Sequence, residues 1–250
     1  AKVFTGWAYP STNLTQFRTA TTDYFSRLQL FPAFHDDTQK SILNGVVLPA
    51  GQGGTKDLEQ TLDALFSHPN TAPFISKQLI QRLVTSNPTP AYVYRVAQKF
   101  ENNGSGTRGD LSAVVRAILT DYEARSPELL ANAAHGKLKE PLLRLTQLWR
   151  AYNARSASGK IGAARNFAGG AAAVFGQAQG SSPSVFNFFS PFFASSGEIA
   201  DAGRVAPEMQ IATEYANTQI ANFFWVQSLS RTQLATTLNA DDMFINTTDE

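Results

Sequence analysis

The sequence contains no cysteine and few charged residues. The absence of cysteine excludes disulfide bridges, thiolate metal sites and a cysteine nucleophile, and it leaves the redox compartment open. Charged residues make up 16% of the chain, below the roughly 25% that is typical of soluble domains. Uncharged polar residues and glycine must therefore cover much of the surface.

The chain also lacks an excess of charge of one sign and a long apolar run. Its 21 basic and 20 acidic residues give a formal net charge of +1, which provides no global field to hold nucleic acid or an anionic membrane. No apolar run approaches the roughly 18 residues of a membrane-spanning helix. We therefore expect no nucleic-acid partner and no membrane span.

Several familiar catalytic motifs are missing too. The chain has no Gly-x-Ser-x-Gly elbow, no His-Glu-x-x-His helix and no Gly-x-x-x-x-Gly-Lys phosphate loop. Serine hydrolases, zincins and nucleotide enzymes of these kinds lose support, because each depends on the local geometry that its motif creates. We predict no cofactor.

Apolar residues at helical spacing dominate the chain from Thr55 onward. Leu58, Leu62, Leu65 and Phe66 follow the i, i+4, i+7, i+8 pattern, which predicts a helix that packs through this face. Similar patterns predict helices that begin near residues 55, 72, 89, 110, 139 and 207.

Helix starts and one turn can be placed from residue type. Thr89 and Asp110 precede two of the apolar stripes, and both types are favoured N-caps. Residues 23–48 alternate in part between apolar and polar, and Asn44 and Gly45 suit a turn with positive φ. We therefore predict a mainly α fold, a multi-helix domain with a small β-hairpin within 23–48, near the N-terminus.

Five segments of the chain are informative when they are taken in order, namely residues 1–7, 34–40, 68–79, 110–119 and 139–141. Together they resemble a large bacterial family known as domain of unknown function 1800. The likeness extends over nearly the whole chain and implies a mainly helical fold without a known activity. It also implies an export signal and a genomic neighbour that resembles sulfatases and alkaline phosphatases.

The same resemblance implies that part of the domain precedes Ala1. We expect residues 1–250 to be the C-terminal portion of one helical domain, with its N-terminal half as a first binding partner. The apolar residues Val3, Phe4 and Trp7 agree with this expectation, since they need something to pack against. We also expect a polar tail over 239–250, and export to the periplasm, the cell surface or the medium.

A polar cluster lies at the end of a predicted strand. His35, Asp36 and Asp37, with Lys40 just beyond, could supply a base oriented by a carboxylate or ligands for a divalent metal. The catalytic candidates are His35, Asp36 and Lys40, and the metal candidates are His35, Asp37 and His68. Their spacing matches no standard ligand motif, and Asp at turns usually accepts from local backbone N–H groups. We therefore predict a structural turn and no bound metal.

Residues 181–193, which we call the aromatic segment, combine turn-forming residues with a group of phenylalanines. These are Phe186, Phe188, Phe189, Phe192 and Phe193. Each phenylalanine can bury about 150 Å² or more, so core packing is the first explanation. Because apolar side chains on both sides of an irregular segment are hard to bury within one domain, the segment is also a candidate partner-binding surface.

Two functions of different classes follow. The first is an exported binding or assembly protein that docks a partner, for which the sulfatase-like neighbour is a candidate. The second is a metal-dependent hydrolase with a site at His35, Asp36 and Asp37. The missing catalytic motifs, the near-zero net charge and the aromatic segment favour the first. The second hypothesis would gain support if His35, Asp36 and His68 lay within ligand distance of one another in one concave pocket.

Overall fold

The structure is a computed structural model, and it confirms the mainly helical fold. It describes residues 1–17, 23, 25–162, 170–229, 240–243 and 245. The chain divides into two compact units, which we call unit 1 (residues 1–74) and unit 2 (residues 75–250). Across the described ranges, no helix combines the length and the apolar character that crossing a membrane requires.

The helices account for most of the regular structure. Within the described residues they are α1 (Gly54–Ser67), α2 (Thr71–Leu83), α3 (Pro90–Glu101), α4 (Leu111–Thr120), α5 (Tyr122–Arg125), α6 (Pro141–Ala151), α7 (Gly170–Phe175), α8 (Glu198–Asp201) and α9 (Glu214–Leu229). Short 3-10 helices occupy Lys2–Phe4, Pro32–Phe34, Leu43–Gly45, Pro127–Ala131 and Pro207–Gln210.

Two small antiparallel strand pairs lie in unit 1. They are formed by β1 (Trp7–Ala8) with β2 (Gln29–Leu30) and by β3 (Lys40–Ser41) with β4 (Val47–Leu48). Asn44 and Gly45 join β3 to β4 with φ of 56° and 72°, so the small predicted β element is confirmed. Its extent differs from the expected 23–48, because β2 pairs with β1 from outside that range.

Helix α1 buries a different face from the one that its sequence predicted. Its buried residues are Gly54, Asp57 and Thr61, whereas Leu62 is 51% exposed and Leu65 is also exposed. The apolar stripe thus forms a helix, as expected, but the expectation that it packs inward is wrong. The physical reason is that unit 1 offers hydrogen-bonding groups to the opposite face of α1, as described below.

The starts of α3 and α4 follow local capping chemistry. Thr89 Oγ1 accepts a hydrogen bond from Tyr92 N at 3.1 Å, and Asp110 Oδ1 accepts one from Ala113 N at 3.1 Å. Each side-chain oxygen thus accepts a hydrogen bond from a backbone N–H group that has no partner inside the helix. The two predicted N-caps are therefore confirmed.

An apolar cluster lies in unit 2, where α7 packs on α9. Its buried members are Leu145, Trp149, Val174, Phe175, Ala216, Ile220, Phe223 and Ile245. The rings of Phe175 and Phe223 meet edge to face, with centroids 5.1 Å apart. Ile245 belongs to the predicted polar tail 239–250, so part of that tail is buried, while 239, 244 and 246–250 lie outside the described residues.

Candidate functional site

A buried polar cluster in unit 1 surrounds the carboxylate of Asp57, near the start of α1. Lys40 Nζ lies 2.6 Å and His35 Nε2 lies 3.1 Å from Asp57 Oδ2, and Gln52 Nε2 donates to Oδ1. The side chains of Asp57, Lys40 and His35 are all buried. A buried charge is tolerated only when it is paired and hydrogen-bonded, and the Asp57 carboxylate meets both conditions.

The approach of α1 to this cluster depends on a glycine. A Cβ atom added to Gly54 would lie 2.7 Å from Leu30 Cδ1 and 3.0 Å from His35 Nδ1. Contacts of this length are tighter than carbon normally makes, so the Leu30 side chain and the His35 ring would have to shift to admit a larger residue. Gly54 thereby allows Asp57, one turn later on the same face, to reach its partners.

His35 has both ring nitrogens engaged. Nδ1 lies 3.0 Å from the backbone oxygen of Thr5, which can only accept a hydrogen bond, and Nε2 faces the Asp57 carboxylate. A metal ligand or a general base must present a lone pair to its target. In this geometry both nitrogens face oxygen atoms of the protein, and the ring fastens two parts of unit 1 together.

Hydrogen bonds determine the ionisation of Asp57. Desolvation by burial raises the pKa of Asp57, but hydrogen bonds from Lys40, Gln52 and His35 outweigh it, and the pKa falls below its usual value. A hydrogen-bonded carboxylate with a nearby cation favours its charged form. Asp57 is therefore the anion that holds the cluster together.

The neighbouring carboxylates of the sequence cluster accept hydrogen bonds from backbone N–H groups. Asp36 Oδ1 accepts from Thr38 N at 3.0 Å and from Thr38 Oγ1, and these bonds lower the pKa of Asp36 to about 2. Asp37 Oδ1 accepts from Gly53 N at 3.2 Å, immediately before α1. The bond from Thr38 N to Asp36 is of the local kind that is common at turns, whereas Asp37 joins two segments that lie 16 residues apart.

The metal candidates do not converge. His35 and Asp37 line a cavity of about 460 Å³ at the start of α1. His68 lies beyond the last residue of the 14-residue α1, roughly 20 Å along the helix axis at 1.5 Å per residue, and its Nδ1 accepts from Asn70 N. Among the described residues, no group of three or more His, Asp or Glu side chains is arranged to hold a metal ion.

The structure joins two predicted candidates through a residue that sequence reasoning missed. His35 and Lys40 meet at Asp57, while Asp36 and His68 make separate local contacts. The available signal was weak: Gly54, Asp57 and Thr61 form a line of small and polar residues opposite the apolar stripe of α1.

A glycine-rich loop in unit 2 has the spacing of a dinucleotide-binding turn. Gly104, Gly106 and Gly109 match Gly-x-Gly-x-x-Gly, a motif that requires a preceding strand. Here the loop follows α3, and the carboxylate of Asp110 already occupies the N-terminus of α4. The loop therefore serves as a helix connection.

The aromatic segment of unit 2 is irregular, yet it is fixed by side chains from elsewhere in the same unit. Phe189 is 2% exposed, and the guanidinium of Arg82 stacks on its ring at 4.0 Å. Arg82 Nη2 also donates to the backbone oxygen of Phe186 at 2.6 Å. Gln81 donates to the backbone oxygen of Pro191 at 3.2 Å.

The five phenylalanines of the segment differ in burial. Phe189 is buried, whereas Phe186, Phe188 and Phe193 are half-buried. Phe192 is 58% exposed, although its ring contacts that of Phe186 with centroids 6.3 Å apart. Phe189 thus anchors the segment, and Phe192 presents its ring to the solvent.

A second cavity, of about 510 Å³, adjoins the aromatic segment in unit 2. Its apolar wall comprises Leu142, Trp149, Ile161, Ala171, Ala178 and Phe188. Polar groups come from Thr146, Gln177, Gln179, Ser182 and Asn187, and none of the described residues that line the cavity is charged. Concave, mostly apolar sites with a few polar groups are typical of ligand-binding pockets.

Comparison with known proteins identifies the family. No curated protein and no solved structure matches the chain. A family model described as "Protein of unknown function (DUF1800)" matches residues 1–249. The resemblance noted in the sequence is therefore confirmed, and the chain belongs to the DUF1800 family.

Proposed function

We propose that this protein functions by binding a partner protein, and that the aromatic segment of unit 2 is its docking surface. The supporting observation is that an irregular segment, fixed from within its own unit, presents large apolar side chains. Val185 is 96% exposed and Phe192 is 58% exposed. Exposed apolar side chains held close together are typical of interaction sites.

The fixed backbone of the segment favours binding. Arg82 and Gln81 hold its carbonyl groups, and Ser190 N donates to Gln210 Oε1 at 2.7 Å. A surface that is ordered before association loses less conformational entropy when the partner arrives. The segment can therefore present Val185 and Phe192 without a large ordering cost.

The chemistry of the surface also defines the partner. No charged residue occurs anywhere in residues 166–197 of the sequence. A partner that buried charged groups against the segment would find no ion within residues 166–197 to pair with them, and desolvation would oppose binding. The partner surface should consist of uncharged polypeptide with aromatic or branched aliphatic side chains.

The proposal includes a cellular location for the protein and a candidate partner, and both rest on the family resemblance. The protein is exported, and its partner is an exported sulfatase-like protein encoded nearby. Co-expression of the two should give a complex that co-purifies. The double variant Val185→Ser, Phe192→Ser should lose the complex while keeping its own fold, because both side chains are exposed.

Site-specific photo-crosslinking in the source organism tests the docking surface directly. A photoreactive benzoylphenylalanine replaces Phe192, and in a matched control it replaces Tyr94, which is 64% exposed on α3 of the same unit. The Phe192 position should give one discrete adduct with a second protein, and the Tyr94 position should not. Equal adducts at both positions, no adduct, or an adduct only with another copy of this chain would contradict the proposal.

A further inference from the structure

The sequence contains two Asn-Gly dipeptides, Asn44-Gly45 in unit 1 and Asn103-Gly104 in unit 2. This dipeptide is chemically labile. The backbone nitrogen of the glycine attacks Cγ of the asparagine, ammonia leaves, and a five-membered succinimide forms. Water then opens the ring at one of its two carbonyl groups, which gives aspartate or isoaspartate. Glycine favours the attack because no Cβ atom shields its nitrogen.

Hydrogen bonds hold the side chain of Asn103 in place. Its Nδ2 donates to Asp110 Oδ2 at 2.9 Å, and this bond is the largest of those that lower the pKa of Asp110. Its Oδ1 accepts from Ser105 N at 2.8 Å and from Thr107 N at 3.2 Å. The amide of Asn103 therefore has to break three bonds before its Cγ can turn towards the attacking nitrogen.

The attacking nitrogen at this dipeptide is engaged as well. Gly104 N donates to Asn102 Oδ1 at 2.8 Å, and Gly106 N donates to the same oxygen at 3.0 Å. The loop between α3 and α4 thus restrains both reacting groups, the side-chain amide of Asn103 and the backbone nitrogen of Gly104.

The dipeptide of unit 1 lies in a different environment. Asn44 is exposed at the turn between β3 and β4, and among the described residues its side chain makes no hydrogen bond. Open space lies where a Cβ atom of Gly45 would stand, with no atom within 4 Å. The turn has to open before Cγ and the nitrogen meet, but β3 and β4 pair through only two residues each. Local opening of such a short element requires little free energy.

We propose that Asn44 is a site of spontaneous deamidation, and that Asn103, in the same dipeptide, is protected by its loop. Attack by Gly45 N forms the bond to Cγ and breaks the bond from Cγ to Nδ2. The reaction releases one molecule of ammonia and consumes one molecule of water, so it needs no catalyst and no oxidant. The new carboxyl group is ionised at neutral pH, and the formal net charge of the chain falls from +1 to zero.

The modification affects the polar cluster of unit 1 through β3. In isoaspartate the chain runs through the side-chain carbon, so the backbone at position 44 becomes one atom longer. β3 and β4 hold Lys40 opposite Leu48, and Lys40 Nζ lies 2.6 Å from Asp57 Oδ2. Because the longer turn no longer fits this register, we expect isoaspartate to weaken the contact between Lys40 and Asp57.

Incubation of the folded full chain at mildly alkaline pH tests the proposal. Peptides are prepared in acid, where the succinimide forms slowly, and mass spectrometry with electron-transfer fragmentation distinguishes aspartate from isoaspartate. Deamidation should be at least about 10-fold faster at Asn44 than at Asn103, the factor that corresponds to about 1.4 kcal/mol in the barrier. In concentrated urea the two rates should converge, because unfolding removes the hydrogen bonds of the Asn103 loop.

Two variants separate the chemistry from its effect. Asn102→Ala removes the acceptor of Gly104 N, so it should raise the rate at Asn103 and leave the rate at Asn44 unchanged. Asn44→Gly cannot deamidate at this position and tolerates the positive φ. After the same incubation, hydrogen exchange should show a loss of protection around Lys40 in the unaltered chain but not in Asn44→Gly. If Asn102→Ala does not fold, the comparison of the folded chain with the chain in urea still decides.

Two results would overturn the proposal. A rate at Asn44 in the folded chain no higher than the rate at Asn103 would show that the loop gives no protection and that the turn is no preferred site. Accumulation of isoaspartate at position 44 with unchanged hydrogen exchange around Lys40 would remove the link to the polar cluster. Neither result affects the docking proposal, which the crosslinks at Phe192 test separately.

Discussion

The polar cluster of unit 1 and the apolar cluster of unit 2 are held by different kinds of buried interaction. Unit 1 buries Asp57 with Lys40 and His35, whereas unit 2 buries an apolar cluster that includes Leu145 and Phe175. Ion pairs and hydrogen bonds are directional, and their removal leaves a charge without a partner. Apolar packing depends mainly on volume and tolerates rearrangement. The polar cluster should therefore respond to chemical changes at one atom, and the apolar cluster to changes of volume.

The largest expected effect is that of Asp57→Ala. The variant leaves Lys40 Nζ and His35 Nε2 buried without their carboxylate, and breaking a buried pair in this way costs roughly 3–5 kcal/mol. Hydrogen exchange followed by mass spectrometry should show a loss of protection in peptides from residues 1–74, with much smaller changes in 75–250.

The matched control is Asp63→Ala, an exposed carboxylate on the same helix α1. It should change the free energy of unfolding by less than about 0.5 kcal/mol. If the two variants behaved alike, the polar cluster would contribute little to unit 1 and the comparison between the units would fail.

Removal of core volume from unit 2 is expected to have the next largest effect. Leu145→Ala leaves a cavity in the apolar cluster and should destabilise unit 2 by about 3 kcal/mol, within the usual range of roughly 2–5 kcal/mol. Leu143→Ala on the same helix α6 is the control, because Leu143 is 45% exposed. Urea unfolding measures both. A Leu143 variant as unstable as the Leu145 variant would show that burial on α6 does not determine stability.

Acid should weaken the polar cluster of unit 1. The folded-state pKa of Asp57 is lowered, whereas an unfolded Asp titrates near about 3.9. The contribution of this carboxylate is thus complete above about pH 4 and is lost as the pH falls through the lower, folded value. The difference in stability between the unaltered chain and Asp57→Asn should shrink below about pH 4. A difference that stayed constant from pH 6 to pH 3 would contradict this.

Local chemistry explains which parts of the fold could be predicted from the sequence. The starts of α3 and α4 depend on Thr89 and Asp110, whose partners lie three residues away. Such contacts are encoded by neighbouring residues, as are the paired positive φ values of Asn44 and Gly45. These features could therefore be predicted from short stretches of sequence.

Contacts between distant segments could not be predicted in this way. The apolar stripe of α1 specifies a helix, but the buried face depends on Lys40 and His35, which lie 17 and 22 residues before Asp57. Likewise, composition marked the aromatic segment, but the stacking of Arg82 on Phe189 joins residues 107 positions apart. Periodicity contains no information on such pairs.

The smallest expected effect concerns zinc at the polar cluster of unit 1. Excess zinc should leave the melting temperature of the full chain unchanged, because a ligand stabilises a protein only by binding its native state. His35 directs both ring nitrogens at protein oxygens, and Asp36 and Asp37 accept from backbone N–H groups. Zinc would have to break these bonds before it gained any. Calorimetry with and without zinc measures the effect, and a saturable increase that disappears in His35→Ala would instead support the metal-dependent hydrolase.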